Sequence, residues 1–575
     1  MFNNIIYFIV VLLIFIVSFP GTTPENPLSR TLIMLFLTWL VFAGCCRWGF
    51  KGLLRRYQAG VGRGSLAGAY QQLNLRLSIL AIFLFALDVY LFQLKYWIQA
   101  IPGLKLLTVV QGIIALALFM FYLSTVWYFG HAAYRAAFHS DIPRRAFVIS
   151  HVKFNVPILF PWVILTLVFD LLSLGRWPAV EDVLDKPIGQ IVFFACFLII
   201  LMIFLPHMVQ YWWGCRPFET SDKVGALQAF LRDQGFRYRK LLQWPIFQGR
   251  MMTAGIMGII SRYRYILVTN GLMEVLSTEE LKGVLAHEMG HAKYWHLVFY
   301  IVFFFGFMVL SFGLLNLSAL FLTSQPFFME AIWGAGSQAT TLFYLAVTLP
   351  ILIAMVIYFR FIMGFFMRNF ERQADLFSAR TMGSPAPVIM SLEKIAFLSG
   401  KSRDLPSWHH FSIRERVDYL QRCDREPGLA TRHHRFVAMC IVAYFVIISG
   451  LGFSLNFGPL QEKIEFWKMR QEMLINEKII QMDPSQAVAY NNLAWYLATA
   501  PYPELRDPPR AIILAKHAVE MEPSAMFLDT LAEAYYANGE TRKAVRVIKK
   551  AIAIAKERRE YYEGQLEKYK KAMEQ

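Results

Sequence analysis

Long apolar runs recur along the chain at 4–19, 32–49, 77–94, 107–128, 155–174, 190–212, 297–318, 342–366 and 436–457. Each is long enough, or nearly so, to cross the roughly 30 Å hydrocarbon core of a bilayer as a helix. No domain of this size needs nine uniformly apolar core helices, so the pattern predicts about nine spans. Between the runs the periodicity changes. "YRYILVTNGL" (263–272) reads as a strand followed by a turn. "STEELKGVLA" (277–286) reads as a helix start with Ser277 at the N-cap and Glu280 at the capping-box position. Beyond 458 the pattern is that of short amphipathic helices. The expectation is a mainly α, polytopic helical membrane protein with a soluble insert and a helical tail.

Four blocks follow: six spans over 1–212, a block at 213–435 that includes a two-span hairpin (297–366), a ninth span at 436–457, and a tail at 458–575. The tail repeats. Ala511 and Ala518 in "PPRAIILAKHAVEMEP" correspond to Ala544 and Ala551 in "TRKAVRVIKKAIAIA", 33 residues on. That period, with small residues where paired helices touch, predicts a tetratricopeptide (TPR) module able to recruit a protein partner. "EKIIQMDP" (477–484) reads as the end of an earlier half-repeat, and 557–573 as a polar capping helix.

Composition agrees with the membrane reading, at 57% hydrophobic and 16% aromatic residues. "MFNN" lacks the basic start of a signal peptide and "SFPGTTPEN" is an indifferent cleavage site, so the first run reads as a span. The net charge is +17, and the loops at 45–56, 139–145 and 216–250, between alternate spans, are basic. The opposite connections, 176–186 and 319–341, are acidic or nearly uncharged. This positive-inside pattern makes the N-terminus cytoplasmic and puts 213–296 and 367–435 on that face. No groove-reading or aromatic-basic motif accompanies the charge, which excludes nucleic acid as the partner. The six cysteines have no metal-type spacing and imply no disulfide framework.

Candidate chemistry lies in "VLAHEMGHAKYW" (284–295). Residues four apart share a helix face, so His287 and His291 can present imidazoles to one ion. Glu288 projects about 100° round, where it can act as a base toward water. His296 is out of step with that face and reads as a membrane-border residue. The third ligand is sought in "MRNFERQADLFSAR" (367–380), where Glu371 and Asp375 are again four apart. Glu371 can bind the ion, and Asp375 can accept the free ring N–H of a ligand histidine and fix its tautomer. Two intervening spans return Glu371 to the membrane face of His287. Asp88 and Asp170 sit inside apolar runs and must face protein or water; they read equally as linings of a hydrated chamber or as helix-packing residues.

"TNGLMEVLSTEELKGVLAHEMGH" together with the later ExxxD pair resembles the M48 metallopeptidases, the family of the Ste24 and HtpX membrane proteases. The resemblance covers roughly 200–420. It implies a gluzincin site with one Zn2+ per chain held by His287, His291 and Glu371, with Glu288 as general base and Asp375 orienting a ligand histidine. It further implies a substrate-pairing edge strand at "TAGIMG", where Thr253 replaces the family's asparagine but Ala254 and Gly258 are kept. A later His-Pro-x4-Arg element would steady the oxyanion. Here His410 and Arg416 keep the spacing, Phe411 replaces the proline, and His409 is a rival to His410. The implied function is hydrolysis of membrane-associated or misfolded proteins and peptides. Such an enzyme would sit in a bacterial inner membrane with a cytoplasmic-facing site and a periplasmic tail. The alternative is a membrane scaffold with a structural or silent metal site and a partner-recruiting tail. Nothing in the sequence reads a prenylated CAAX terminus.

Overall fold

The computed structural model describes the chain except residues 1, 19–25, 60–65, 139, 176–182, 185–186, 247–251, 335–338, 400–402, 405–409, 457–458, 556–557 and 575. His409 and most of the 176–186 connection therefore lie outside the described residues. Each of the nine apolar runs is helical over most of its described residues. Among the described residues, eight helices are long and apolar enough to cross a membrane: Leu28–Gln58, Leu66–Tyr90, Thr108–Phe138, Arg144–Gly175, Val192–Trp212, His296–Thr323, Thr341–Met382 and Gly428–Asn456. This is a multi-pass membrane protein. The first run forms a shorter apolar helix, Phe2–Val17, of 16 residues. Its Phe8, Val11 and Phe15 are buried in a core with Phe42, Phe85, Phe119 and Tyr122 of three candidate spans.

The chain divides into two compact units, Met1–Val309 with Ala335–Ile447, and Leu310–Gly334 with Ile448–Gln575. In the first, exposed and buried positions invert the soluble rule. Leu32, Ile33, Phe36, Leu37, Leu40 and Val41 of Leu28–Gln58 are all exposed, as expected of a surface solvated by acyl chains. The two aspartates in apolar runs are consumed by packing. Asp88 is fully buried and accepts a hydrogen bond from Tyr122 Oη at 2.8 Å. Asp170 accepts from the Val109 backbone N–H at 2.8 Å, satisfying a donor that the start of Thr108–Phe138 leaves unpaired. Of the two readings of these residues, the helix-packing one fits.

The soluble insert carries a four-stranded sheet of order β1-β2-β4-β3, with β1 at Arg216–Pro217, β2 at Lys240–Gln243, β3 at Ala254–Met257 and β4 at Tyr265–Val268. β3 pairs antiparallel with β4 and forms one edge of the sheet. The expected turn after β4 is a short helix, Asn270–Val275. The motif helix, Thr278–Lys293, then begins with the expected capping box between Ser277 and Glu280. The carboxylate helix, Gly364–Met382, continues from the hairpin through a wide π turn at Tyr358–Met363.

In the second unit, helices at Ala487–Thr499, Pro508–Met521, Ala525–Ala537, Thr541–Ile554 and Arg559–Glu574 follow in succession. Ala511, Ala518, Ala544 and Ala551 are all fully buried, as the repeat predicts. The last helix is less polar than expected, because Tyr562 and Tyr569 turn inward.

The motif and carboxylate helices touch through small residues. A Cβ added at Gly290 would lie 2.9 Å from Ala374 Cα, a backbone atom that moves only if the helix moves. Gly290→Ala is therefore expected to lower stability by about 1–3 kcal/mol. The check is a reduced thermal midpoint of the detergent-purified protein. Gly225→Ala, whose Cβ meets nothing within 4 Å, serves as the unaffected control.

Candidate metal centre

Close helix packing turns two sequence motifs into one site. Besides the Gly290–Ala374 approach, Ser378 Oγ donates to Gly283 O at 2.7 Å across the buried seam. His287 and His291 on one helix thus face Glu371 and Asp375 on the other. His287 and Glu371 are each under a tenth exposed.

The donor atoms lie at the separations a small cation requires. His287 Nε2 is 3.2 Å from His291 Nε2, 3.5 Å separates His287 Nε2 from Glu371 Oε2, and 3.4 Å separates His291 Nε2 from Glu371 Oε1. A tetrahedral ion with bonds of about 2.0–2.1 Å has ligand atoms about 3.3–3.4 Å apart. Among the described residues, these three form the group able to hold a metal. Charge points the same way. Glu288, Glu371 and Asp375 all face the Arg416 guanidinium. Burial works against a charged His287 imidazole, yet the Asp375 and Glu371 carboxylates hold its pKa up at about 10. The donor set thus favours positive charge at this point, which a divalent cation would supply in place of the proton.

Each ligand is held from behind. His287 Nδ1 lies 2.9 Å from Asp375 Oδ1, as the spacing predicts. Asp375 is in turn gripped by Arg416, Nε to Oδ2 at 2.8 Å and a second nitrogen to Oδ1 at 2.6 Å. Arg416, expected at the oxyanion, holds Asp375 in the fork geometry that suits a carboxylate and brings a nitrogen within 3.7 Å of Glu371 Oε2. A second capping box, Ser412 with Glu415, starts the Ile413–Arg425 helix and sets the position of Arg416.

His410 Nδ1 lies 3.1 Å from Glu371 Oε2, with its side chain 41% exposed. It therefore stands at the open side of the metal group. Phe411, at the position of the expected proline, packs under Arg372, whose guanidinium sits 4.1 Å from the Phe411 ring and 4.0 Å from that of Tyr419. This stack holds the segment that carries His410.

Glu288 is outside the metal-holding group. Its carboxylate accepts from the backbone N–H of Ile256 on edge strand β3 at 3.0 Å. Thr253 faces inward at the start of that strand, where its carbonyl accepts from Thr269 N at 3.1 Å. Ala254 and Ile256 consequently direct main-chain groups outward. Gly258 ends the edge at φ +99°, and a Cβ there would meet Tyr263 O at 2.4 Å. A cavity of about 470 Å³, lined in part by Gly258, Met289, His291 and Trp295, opens beside the site.

His296 departs from expectation. It does begin the His296–Thr323 span, but it is also fully buried, with Nδ1 2.9 Å from His291 Nδ1. Helical periodicity hides this, because Trp295 takes a left-handed conformation (φ 59°) and folds the chain back. Nothing in the sequence pattern signals a left-handed tryptophan.

Residues 227–441 match the family model described as Peptidase family M48. This stretch contains the edge strand, both site helices and the Arg416 helix. A "Protease HtpX homolog" of Aeropyrum pernix is 25% identical over 203 residues, 34% of this chain and 59% of that protein. A second "Protease HtpX homolog", from Tropheryma whipplei, is 30% identical over 145 residues, 25% of this chain and 45% of that protein. The chain thus spans about half the length of these curated relatives. Among solved structures, the crystal structure of S. mikatae Ste24p aligns with 69% of this chain and all of its own at 15% identity and a TM-score of 0.44.

The Asp375–Arg416 pair is buried on both sides, with side chains 2% and 11% exposed. Arg416→Met leaves a carboxylate without its partner and is expected to destabilise the protein by about 3–5 kcal/mol. Chemical unfolding in detergent measures this. An Asp375→Asn/Arg416→Met double variant should recover part of the loss, since it removes both charges.

Proposed function

We propose that this chain, which carries a Peptidase family M48 match across its site helices, is an integral-membrane zinc metalloendopeptidase. The observation that carries the reading is the set of three donor groups whose atoms lie 3.2–3.5 Å apart, contributed by segments some 80 residues apart in sequence. His287, His291 and Glu371 are the residues that would hold the ion. Zinc so held supplies Lewis acidity toward a scissile carbonyl and makes water a better acid.

The chain's own residues do the rest. Glu288 takes the proton from the attacking water and returns it to the leaving amine. His410, at the open side of Glu371, is placed to donate toward the developing oxyanion. The outward main-chain groups of β3 around Ala254 pair with an extended peptide as an added strand. Thr253 and Gly258 set the ends of that edge, Thr253 through its bonds to Thr269 and Gly258 through its left-handed turn.

Recognition of main chain at an edge suits unfolded segments, so the substrates we favour are membrane-associated or misfolded proteins and peptides. The charge asymmetry of the loops supports a cytoplasmic-facing site in a bacterial inner membrane and a periplasmic tail. The buried alanines of the tail support a tetratricopeptide module that docks a protein partner.

Glu288→Gln is expected to keep its zinc and lose hydrolysis of an unstructured reporter by about 10²–10⁴-fold. Chelation should abolish activity in the unaltered protein, and zinc should restore it. Zinc retention with undiminished cleavage in the variant would remove Glu288 from this role.

A further inference from the structure

His291 is the one histidine ligand with no carboxylate behind it among the described contacts. Its Nδ1 faces His296 Nδ1 at 2.9 Å. From there the contacts run on: His296 Nε2 lies 3.1 Å from Gln373 Oε1, and Gln373 Nε2 lies 3.0 Å from His434 Nδ1. His296 is fully buried and Gln373 is 6% exposed. The His296 ring also stacks on Phe370 at 4.2 Å and 5°, which fixes its plane.

From this geometry we infer that His296, Gln373 and His434 form a neutral hydrogen-bond relay that holds His291 in its metal-ligating tautomer. The inference rests on the metal reading above. Two ring nitrogens this close need one proton between them. A neutral His291 that offers its Nε2 lone pair to a cation must carry its proton on Nδ1. It therefore donates to His296 Nδ1, and the His296 proton lies on Nε2. That N–H donates to Gln373 Oε1, which turns the amide so that its NH2 donates to His434 Nδ1. In this direction every donor meets an acceptor. The reverse direction also pairs every donor, but it puts the His291 proton on Nε2 and blocks ligation. Because His296 is sealed from water, a His296 tautomer out of step with its two neighbours leaves a buried group unpaired, so the relay and the ligating tautomer stand or fall together. His296, Gln373 and His434 are positioning residues, since none is among the three metal-holding residues.

The relay also differs in kind from the support of His287. Asp375 brings a negative charge to one ligand, balanced by Arg416. The relay orients the other ligand without adding charge to an already anionic site.

The test is a chelator-competition titration of zinc on the full-length protein in detergent, paired with the visible spectrum of the cobalt(II)-substituted form. His296→Leu should weaken zinc binding by about 10–100-fold and shift the cobalt bands. His296→Asn, whose amide oxygen can accept where Nδ1 does, should regain most of the affinity and the original spectrum. Should His296→Leu fail to fold, Gln373→Leu and Gln373→Glu make the same comparison one step out. The leucine should weaken zinc binding, and the glutamate, which keeps the acceptor, should restore it. Glu371→Gln separates the two ideas. If it loses zinc while His296→Leu and Gln373→Leu bind and absorb like the unaltered protein, the relay is overturned and the metal centre stands. If the unaltered protein takes up no zinc, the metal centre falls and the relay falls with it.

Discussion

The site depends on two helices lying closer together than ordinary side chains allow. Gly290 has no Cβ, and the space that atom would fill belongs to the backbone at Ala374. That contact lies one residue from His291 and three from Glu371, so it sets the separation of the donor atoms directly. A long interhelical gap would need flexible side chains to reach across, at a cost in lost rotamer freedom for each. Here short reach does the work. The bond from Ser378 to the Gly283 carbonyl pins the same seam two turns away and prevents one helix from sliding on the other.

Such closeness concentrates charge, and the surrounding residues manage it unevenly. Two buried carboxylates on one helix would repel each other if both stood alone. Arg416 answers with a fork that occupies both oxygens of Asp375 and brings a nitrogen within 3.7 Å of Glu371 Oε2. A lysine could not make the paired contact. The result is a pocket whose Asp375 is committed to Arg416 at its back, while Glu371 is left to face the two histidines where a divalent cation would bind.

Much of this was legible in the sequence, for reasons of spacing. His287 and His291, and Glu371 and Asp375, follow from the four-residue repeat of a helix face, Glu288 from its place one residue round from His287, and the even number of spans between the motifs returns them to one membrane side. The capping box at Ser277 was equally plain, because its two residues sit at fixed offsets. What could not be read depends on tertiary contact. His296 is reached only through the left-handed turn at Trp295. Arg416 sat at the expected spacing, but nothing in a linear pattern says which carboxylate it grips. Asp88 and Asp170 were undecided until their partners, the Tyr122 hydroxyl and the Val109 N–H, came from other helices.

The edge strand and the proposed base behave as one mechanical part, and this bears on what kind of peptide the site suits. One outward N–H of β3, at Ile256, is already bonded to Glu288, so any strand added to this edge lies in a register measured from the carboxylate. The edge is short. Four residues of strand span only about 13 Å, and Gly258 turns the chain away at its end. An edge of this length offers a few main-chain bonds and little room for side-chain selection. On the proposed reading, discrimination would rest on whether a segment can be extended at all, which would separate unfolded chain from folded chain more sharply than one sequence from another.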